Sequence, residues 1–328
     1  MTASKRVMLA AIIAAGVAGA VMPVLAQQQQ KFPTKPVRIV VPSSPGSAPD
    51  ILTRMFAARM SEGWGQPVVI ENRPGASGTI GAAQVAKASP DGYTLLFATT
   101  GFAPSAALQR SLPYDAIRDF AGITQLVIPT GVLIVAPALG VKSVKELIAL
   151  AQAKPGKVLF ASGGAGGATH LSGERMRLAA GINVVHVGFK GTPEAAIEVL
   201  AGRVHYAILG MAVVLPFIKD GRLLALAVNT PQRSPVLPEV PALVETLPEF
   251  KRPESTPGFL APAGTPRPIL KQISGEMTRV LDLPDIRERL AGMGFTPAPT
   301  TPEEHDRIVR EQITILSRLV VDAGLRPK

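Results

Sequence analysis

The 328-residue sequence predicts an α/β protein of two lobes, each a twisted, mostly parallel sheet flanked by helices. Three observations carry that expectation. Strand-length apolar runs alternate with segments whose apolar residues recur at helical spacing. The alternation occurs twice, the second time from near Gly131. Two glycine- and serine-rich loops also stand at matching places, each between an apolar run and a helix.

In chain order, Val37 to Val41 is a buried-strand run, and Ile51, Leu52, Met55, Phe56 and Met60 mark the helix after it. Val68 to Ile70 is a strand. Ile80 to Lys87 is a helix stopped by Pro90-Asp91-Gly92, and Thr94 to Ala98 is a further strand. This βαβαβ order predicts parallel pairing with helices on both faces. The second alternation has strands at 132–135, 158–161, 184–187, 204–209 and 223–228, with helices at 144–153, 171–180 and 193–200. The proline-rich stretch from Thr230 to Pro257 is the route back. Helices at 268–281, 285–291 and 303–323 close the chain, the last with a capped start at Thr301-Pro302.

The first residues have the pattern of a secretory signal peptide. Lys5 and Arg6 precede an apolar stretch from Val7 to Val21, and Val24-Leu25-Ala26 supplies a cut site after Ala26. An uncleaved anchor fits less well, because the apolar core is short for a span. The expected division is a signal peptide over 1–26, a polar linker over 27–31, a first lobe from 32–130 with 254–328, and a second lobe over 131–253. With no cysteine, neither a lipid anchor at the cut site nor a disulfide is available, so stability must come from a core. Hydrophobic residues make up 47% and aromatic residues 5%, which points to an aliphatic interior.

The formal net charge is +10; without Lys5 and Arg6, 32 basic residues face 24 acidic ones, giving +8. The balance favours anionic ligands. Nucleic acid is not expected as a partner, because the basic residues are dispersed and few aromatics are present for base stacking.

The first loop is Ser43-Ser44-Pro45-Gly46-Ser47-Ala48-Pro49-Asp50, and the second is Ser162-Gly163-Gly164-Ala165-Gly166-Gly167-Ala168-Thr169-His170. A loop that opens a helix presents unpaired backbone N–H groups at the positive end of the helix dipole, which suits a carboxylate or phosphate. Ser43, Ser44 and Ser47 are candidate hydroxyl donors, and Gly46 allows close backbone approach; an ordinary helix cap is the competing role. Asp50 would repel an anion, so its expected role is to orient the loop. In the second loop Ser162, Thr169 and His170 are the side-chain candidates, with backbone N–H groups from Gly163 and Gly164 to Ala168. His170 is either a ligand donor or a hydrogen-bonded cap residue. Thr99 and Thr100 end a strand of the first half and should reach the same cleft. Lys190 either adds positive charge there or is solvated. Ligands of open α/β sheets bind outside the carboxyl ends of strands, where all these residues fall.

Several segments together carry a family resemblance. They are Glu71-Asn72-Arg73-Pro74-Gly75 with Gly78 and Ile80-Gly81-Ala82, then Ser89-Pro90-Asp91-Gly92-Tyr93-Thr94-Leu95-Leu96. Leu112-Pro113-Tyr114-Asp115 with Arg118-Asp119-Phe120, and Leu260-Ala261-Pro262-Ala263-Gly264-Thr265-Pro266, complete the set. Over nearly all of the chain beyond the signal segment, the sequence resembles the Bug, or TctC-like, periplasmic solute-binding proteins of tripartite tricarboxylate transport systems. The resemblance implies a type II-like two-lobed binding protein with a hinge, closing on a small organic carboxylate and serving the membrane subunits of such a transporter. It implies a monomer in the periplasm, with no cofactor.

Three positions depart from the family pattern. The first loop has Ser44-Pro45-Gly46-Ser47 where Pro-Pro-Gly-Gly is common. Val187-Gly188-Phe189-Lys190-Gly191 replaces Val-Pro-Tyr-Lys-Gly, so Phe189 lacks a phenol hydroxyl. Leu209 and Gly210 stand where an Asp-Asn pair is common, which argues against an ammonium-bearing ligand and for an aromatic or aliphatic carboxylate. A secreted enzyme acting on an anionic substrate, or a sensor for a membrane signalling partner, are the other functions considered. The enzyme reading finds no Gly-x-Gly-x-x-Gly, Walker sequence or Gly-x-Ser-x-Gly elbow. His170 and Glu174 lie four apart on a helix, while His186, His205 and His305 are scattered, so no metal site is expected.

Overall fold

The computed structural model describes residues 32–109, 111–250 and 257–325. The signal peptide and linker expected over 1–31 lie outside these residues. The central strands form because their runs are aliphatic and buried on both faces, as a sheet covered by helices on each side requires. In β1 (Val37–Val41) only Arg38 is not buried, and every residue of β3 (Thr94–Ala98) is buried.

Two five-stranded sheets result. The first has the order β2 (Val68–Asn72), β1, β3, β11 (Gly258–Pro262), β4 (Phe120–Gln125). β2, β1 and β3 run parallel, and β11 runs against both β3 and β4. The second has the order β10 (Leu224–Val228), β6 (Gly131–Val135), β9 (Tyr206–Gly210), β7 (Leu159–Ser162), β8 (Val185–Gly188). Here β6 is the antiparallel strand, while β9, β7 and β8 are parallel. Each sheet is thus the same device: four strands one way and one against them, next to the edge. Apolar periodicity fixes strand existence but not direction, which is why β6 looked like an ordinary member of the alternation, while β11 was not among the expected strands. A two-stranded pairing of β5 (Val127–Pro129) with β12 (Phe295–Pro297) lies outside both sheets.

The helices of the first lobe are α1 (Ala48–Trp64), α2 (Thr79–Ala86) and α3 (Phe102–Leu108). In the second lobe they are α4 (Val144–Ala153), α5 (Ala168–Ala179), α6 (Thr192–Leu200), α7 (Met211–Lys219) and the short α8 (Leu243–Thr246). The C-terminal α9 (Arg267–Leu281) packs on α1 and β4, α10 (Pro284–Gly292) sits beside β12, and α11 (Pro302–Asp322) packs on β4 and α3. α11 starts where its capping box dictates: the Thr301 hydroxyl accepts from the Glu304 N–H, and Glu304 accepts from the Thr301 N–H. Its buried stripe is Ile308, Val309, Ile313, Leu316, Leu319 and Val320, interrupted by one polar residue, Gln312.

The chain enters the second sheet at Gly131, which opens β6 and exchanges two hydrogen bonds with Asn229, which follows β10 in the same sheet. The Asn229 N–H donates to the Gly131 carbonyl at 2.8 Å, and the Gly131 N–H donates to Asn229 Oδ1 at 2.8 Å. Leu126 N–H donates to Pro257 O, and Thr130 N–H to Gly294 O. These ties make the junction a compact, hydrogen-bonded hinge. Replacing Asn229 with Ala removes the side-chain acceptor and leaves a buried N–H unsatisfied. A loss of about 1–3 kcal/mol is expected from urea denaturation of ligand-free protein.

Candidate functional site

Four strand ends face one another between the lobes. β1 leads through the first loop into α1, and β3 leads through Thr99 and Thr100 into α3. β7 leads through the second loop into α5, and β9 leads through Gly210 into α7. They enclose a cavity of about 370 Å³. Its walls include Ala48 and Pro49, Thr99 and Thr100, Ala168 and Thr169, Leu209 and Gly210, with Thr130, Gly131 and Asn229 on the hinge side. Apolar side chains dominate: Leu52, Phe97, Leu171, Ile208, Met211, Met293, Phe295 and Leu316 all line it. The lobes meet around it. Leu171 of α5 belongs to the first lobe's apolar cluster with Leu316 and Leu319. At Gly166 an added Cβ would sit 3.0 Å from Leu108 Cδ1, and its φ of +75°, like the +76° of Gly46, is left-handed backbone that favours glycine.

The first loop is held by Asp50, which is 2% exposed. Its carboxylate accepts from the Gly46 N–H at 2.8 Å, from Asn72 Nδ2 at 2.8 Å and from Arg54 Nε at 3.0 Å. Burial alone would push this carboxyl up, but the bonds from Arg54, Gly46 and Asn72 outweigh it and hold it below the usual range. Ser47 Oγ donates to Ser43 Oγ and to the Ser44 carbonyl, so its hydroxyl is spent inside the loop. Ser43, Ser44, Gly46 and Ser47 are therefore brought together as a braced turn, and the residues that reach the cavity are the next two, Ala48 and Pro49.

The second loop is braced in the same way. Gly163 N–H donates to Thr169 Oγ1, Gly164 N–H to Ser162 Oγ, and Gly166 N–H to His170 Nδ1. Of the residues named from sequence, Thr99, Thr100 and Thr169 line the cavity. His170 is buried beneath the loop, stacked on His186 at 3.7 Å between ring centroids. Phe189 packs against the second lobe's core, and Lys190 is exposed, its N–H capped by Glu194. Sequence reasoning did not single out Ser172, Arg175 or Gln312, which also line the cavity. Arg175 shares a helical face with Ala168, Leu171 and Ser172, and Gln312 is the polar break in the apolar stripe of α11; both signals were in the sequence.

Ser162 Oγ lies 2.7 Å from His186 Nε2, the spacing of a nucleophile and its base. The pair is a strut. Ser162 is 0% exposed, its hydroxyl also bonds within the loop to Gly164, and neither residue lines the cavity. Burial, with His170 alongside, lowers His186 to about 4, and burial also lowers His170. Among the described residues no group of three or more His, Asp or Glu is placed to hold a metal. No helix among them is long and apolar enough to cross a membrane.

A family model for the tripartite tricarboxylate transporter family receptor, TctC, matches residues 52–325. The chain is 33% identical over 302 residues to the protein BugT of Bordetella pertussis, covering 90% of this chain and 92% of that one. A solved structure of an R. palustris protein with adipate is 32% identical, with a TM-score of 0.75, covering 89% of this chain and 98% of that one. MatC of Rhodopseudomonas palustris with bound malate is 29% identical, with a TM-score of 0.71, covering 88% and 100%. The fold is that of the two-lobed periplasmic binding proteins, and the chain belongs to the TctC, or Bug, family of solute-binding receptors.

Both histidines are depressed below their unfolded value of about 6.5, so the neutral forms favour folding. Their contribution is complete above that pH and is lost as pH falls from about 6.5 towards 4. A His170→Asn/His186→Gln double variant, which keeps the acceptor atoms, should flatten that limb of the stability curve in urea titrations. An unchanged limb would assign it instead to His205, which burial also lowers, or to carboxylates.

Proposed function

We propose that the protein captures a small organic carboxylate in the cleft between its lobes, by hinge closure, and delivers it to a tripartite tricarboxylate-type transporter. The observation that carries this reading is the cavity itself. It is built by strand ends from both lobes, contains no acidic side chain among its described lining residues, and has Arg175 as its one charged wall. An anion is accommodated there and a cation is not. The open helix ends at Ala48 and Ala168 both face it, and the first-turn N–H groups of a helix have no partner within the helix. Because the loops satisfy their own polar groups, the walls are preorganised and little ordering cost falls on binding. Closure then removes ligand and N–H donors from water, which strengthens their hydrogen bonds.

The relatives bound to adipate and to malate support the carboxylate, and family membership supports the transporter and a periplasmic location. The protein acts as a monomeric receptor and not as an enzyme. Ser162 is buried away from the cavity, and the described residues that line it include no nucleophile with a base beside it.

A thermal-shift screen against a carboxylate library tests this. A ligand at one hundred times its Kd should stabilise the protein by about 2.7 kcal/mol. Incubation should return that ligand unchanged; its conversion would overturn the reading. Thr100 is exposed and lines the cavity. Thr100→Glu should therefore weaken carboxylate binding at least about tenfold without lowering stability, while Thr100→Gln does not. Equal affinity in both variants would place the ligand elsewhere.

A further inference from the structure

Gly210 ends β9, is the residue from which α7 starts, and lines the cavity. Its backbone does not call for glycine: φ is −58° and ψ is 135°, a conformation open to any residue. Nor does a neighbour exclude a side chain, because a Cβ built there meets no atom within 4 Å. Its cross-strand partner Gly131 is the contrast. A Cβ at Gly131 would lie 2.5 Å from Asn229 Nδ2, so packing holds that position to glycine. Leu209 is fully buried in the second lobe's apolar core, so of the two neighbours only Gly210 leaves open space. Residues favoured at a helix start carry a capping oxygen, whereas α7 has no side-chain cap. At Gly210 the chain has cavity volume where a cap would stand. Printed on either side of that volume are two kinds of wall. Towards the hinge, the Met211 N–H donates to the Thr130 carbonyl, and Asn229 is tied to Gly131. On the other side the turn at Gly294 lies against Met211, where an added Cβ would be 2.7 Å from Met211 Cβ. Met211, Met293 and Phe295 all line the cavity.

We propose that Gly210 is the specificity-determining position of the cleft, opening an alcove beside the hinge that takes the ring of a monocyclic carboxylate. The proposal rests on the carboxylate-binding reading above and adds to it the shape of the ligand's body. The volume suffices: an apolar cavity of about 150 Å³ holds benzene, and this one measures about 370 Å³, room for a ring and its carboxylate. The walls suit a ring. Methionine side chains are flexible and polarisable, fit around irregular shapes and make favourable sulfur–aromatic contacts. Phe295 offers a further face or edge. A ring asks for no hydrogen bond from these walls and has few rotatable bonds to freeze on binding. A straight chain loses freedom along its length and leaves the breadth of the alcove unfilled, forfeiting contacts with its lining. Any side chain at position 210 would stand in the space the ring takes and narrow the alcove to a slot that still passes a chain.

Isothermal titration with benzoate, cyclohexanecarboxylate and heptanoate tests the alcove, since the three acids match in carbon number and differ in shape. In the native protein the better ring acid should bind at least about tenfold tighter than heptanoate. Gly210→Ala should shrink that ratio and Gly210→Val should abolish it, with heptanoate affinity changing less than about threefold. Gly210→Ser separates space from capping. It should raise the Tm relative to Gly210→Ala, because its hydroxyl caps α7, yet shrink the ratio as Ala does. If the valine variant does not fold, the native ratio and the alanine variant decide. A native ratio near one, or a ring preference unchanged by Ala and Val, overturns the alcove and leaves carboxylate binding standing. Failure of all three acids to bind also overturns the alcove; the carboxylate reading falls only if the whole carboxylate library fails with them.

Discussion

The reciprocal pairing of Gly131 with Asn229 is the constraint on which the site depends. Each wall of the cavity belongs to one lobe or the other, so the cavity exists only where the two sheets are held face to face. The chain enters the second sheet at β6, where the Gly131–Asn229 bonds fasten that entry to the end of β10, and the Leu126 N–H to Pro257 O bond ties the outgoing segment to the returning one. Both residues line the cavity, so the hinge is also its floor. On the proposed mechanism of capture by closure, a ligand seated there touches the axis about which the lobes turn.

The two loops that open α1 and α5 do not act as strings of free amide donors. Asp50 in one lobe, and Thr169 with His170 in the other, take up the loop N–H groups and fix their shape. What remains for a ligand is the first turn of each helix and the threonines beside it. This arrangement separates rigidity from recognition. The acid at Asp50 is neutralised by Arg54 and Asn72 and sits away from the cavity, so it braces an anion site without repelling the anion. The side walls of the cavity include Leu209, Gly210, Arg175 and Gln312.

Much of this was legible in the sequence. The alternation of apolar runs located β1, β3, β7 and β9, and the cap at Thr301-Pro302 located the start of α11. Thr99, Thr100 and Thr169 were found because strand ends collect ligands in open sheets. The antiparallel direction of β6 was not legible, because side-chain alternation carries no information on strand direction, and β11 and β4 were not expected as strands at all. The inward turn of the His170 ring was not legible either, since a histidine at a helix start serves equally as cap or donor. Gln312 comes from the last helix, more than 130 residues after α5, and only packing shows that it faces the same space. The Bug-like motifs, by contrast, pointed to the family that the structural likeness shows.

The central claim is that ligand capture and lobe closure are one event. The chain has no cysteine, so spin labels placed at Gln109 of the first lobe and Gln152 of the second, by single substitutions to Cys, report one distance without interference. Pulsed dipolar spectroscopy with and without a carboxylate that stabilises the protein measures it directly. Capture by closure predicts a broad or longer-lived open population that collapses on ligand addition to the single separation seen in this structure. The same distance distribution with and without saturating ligand would contradict it.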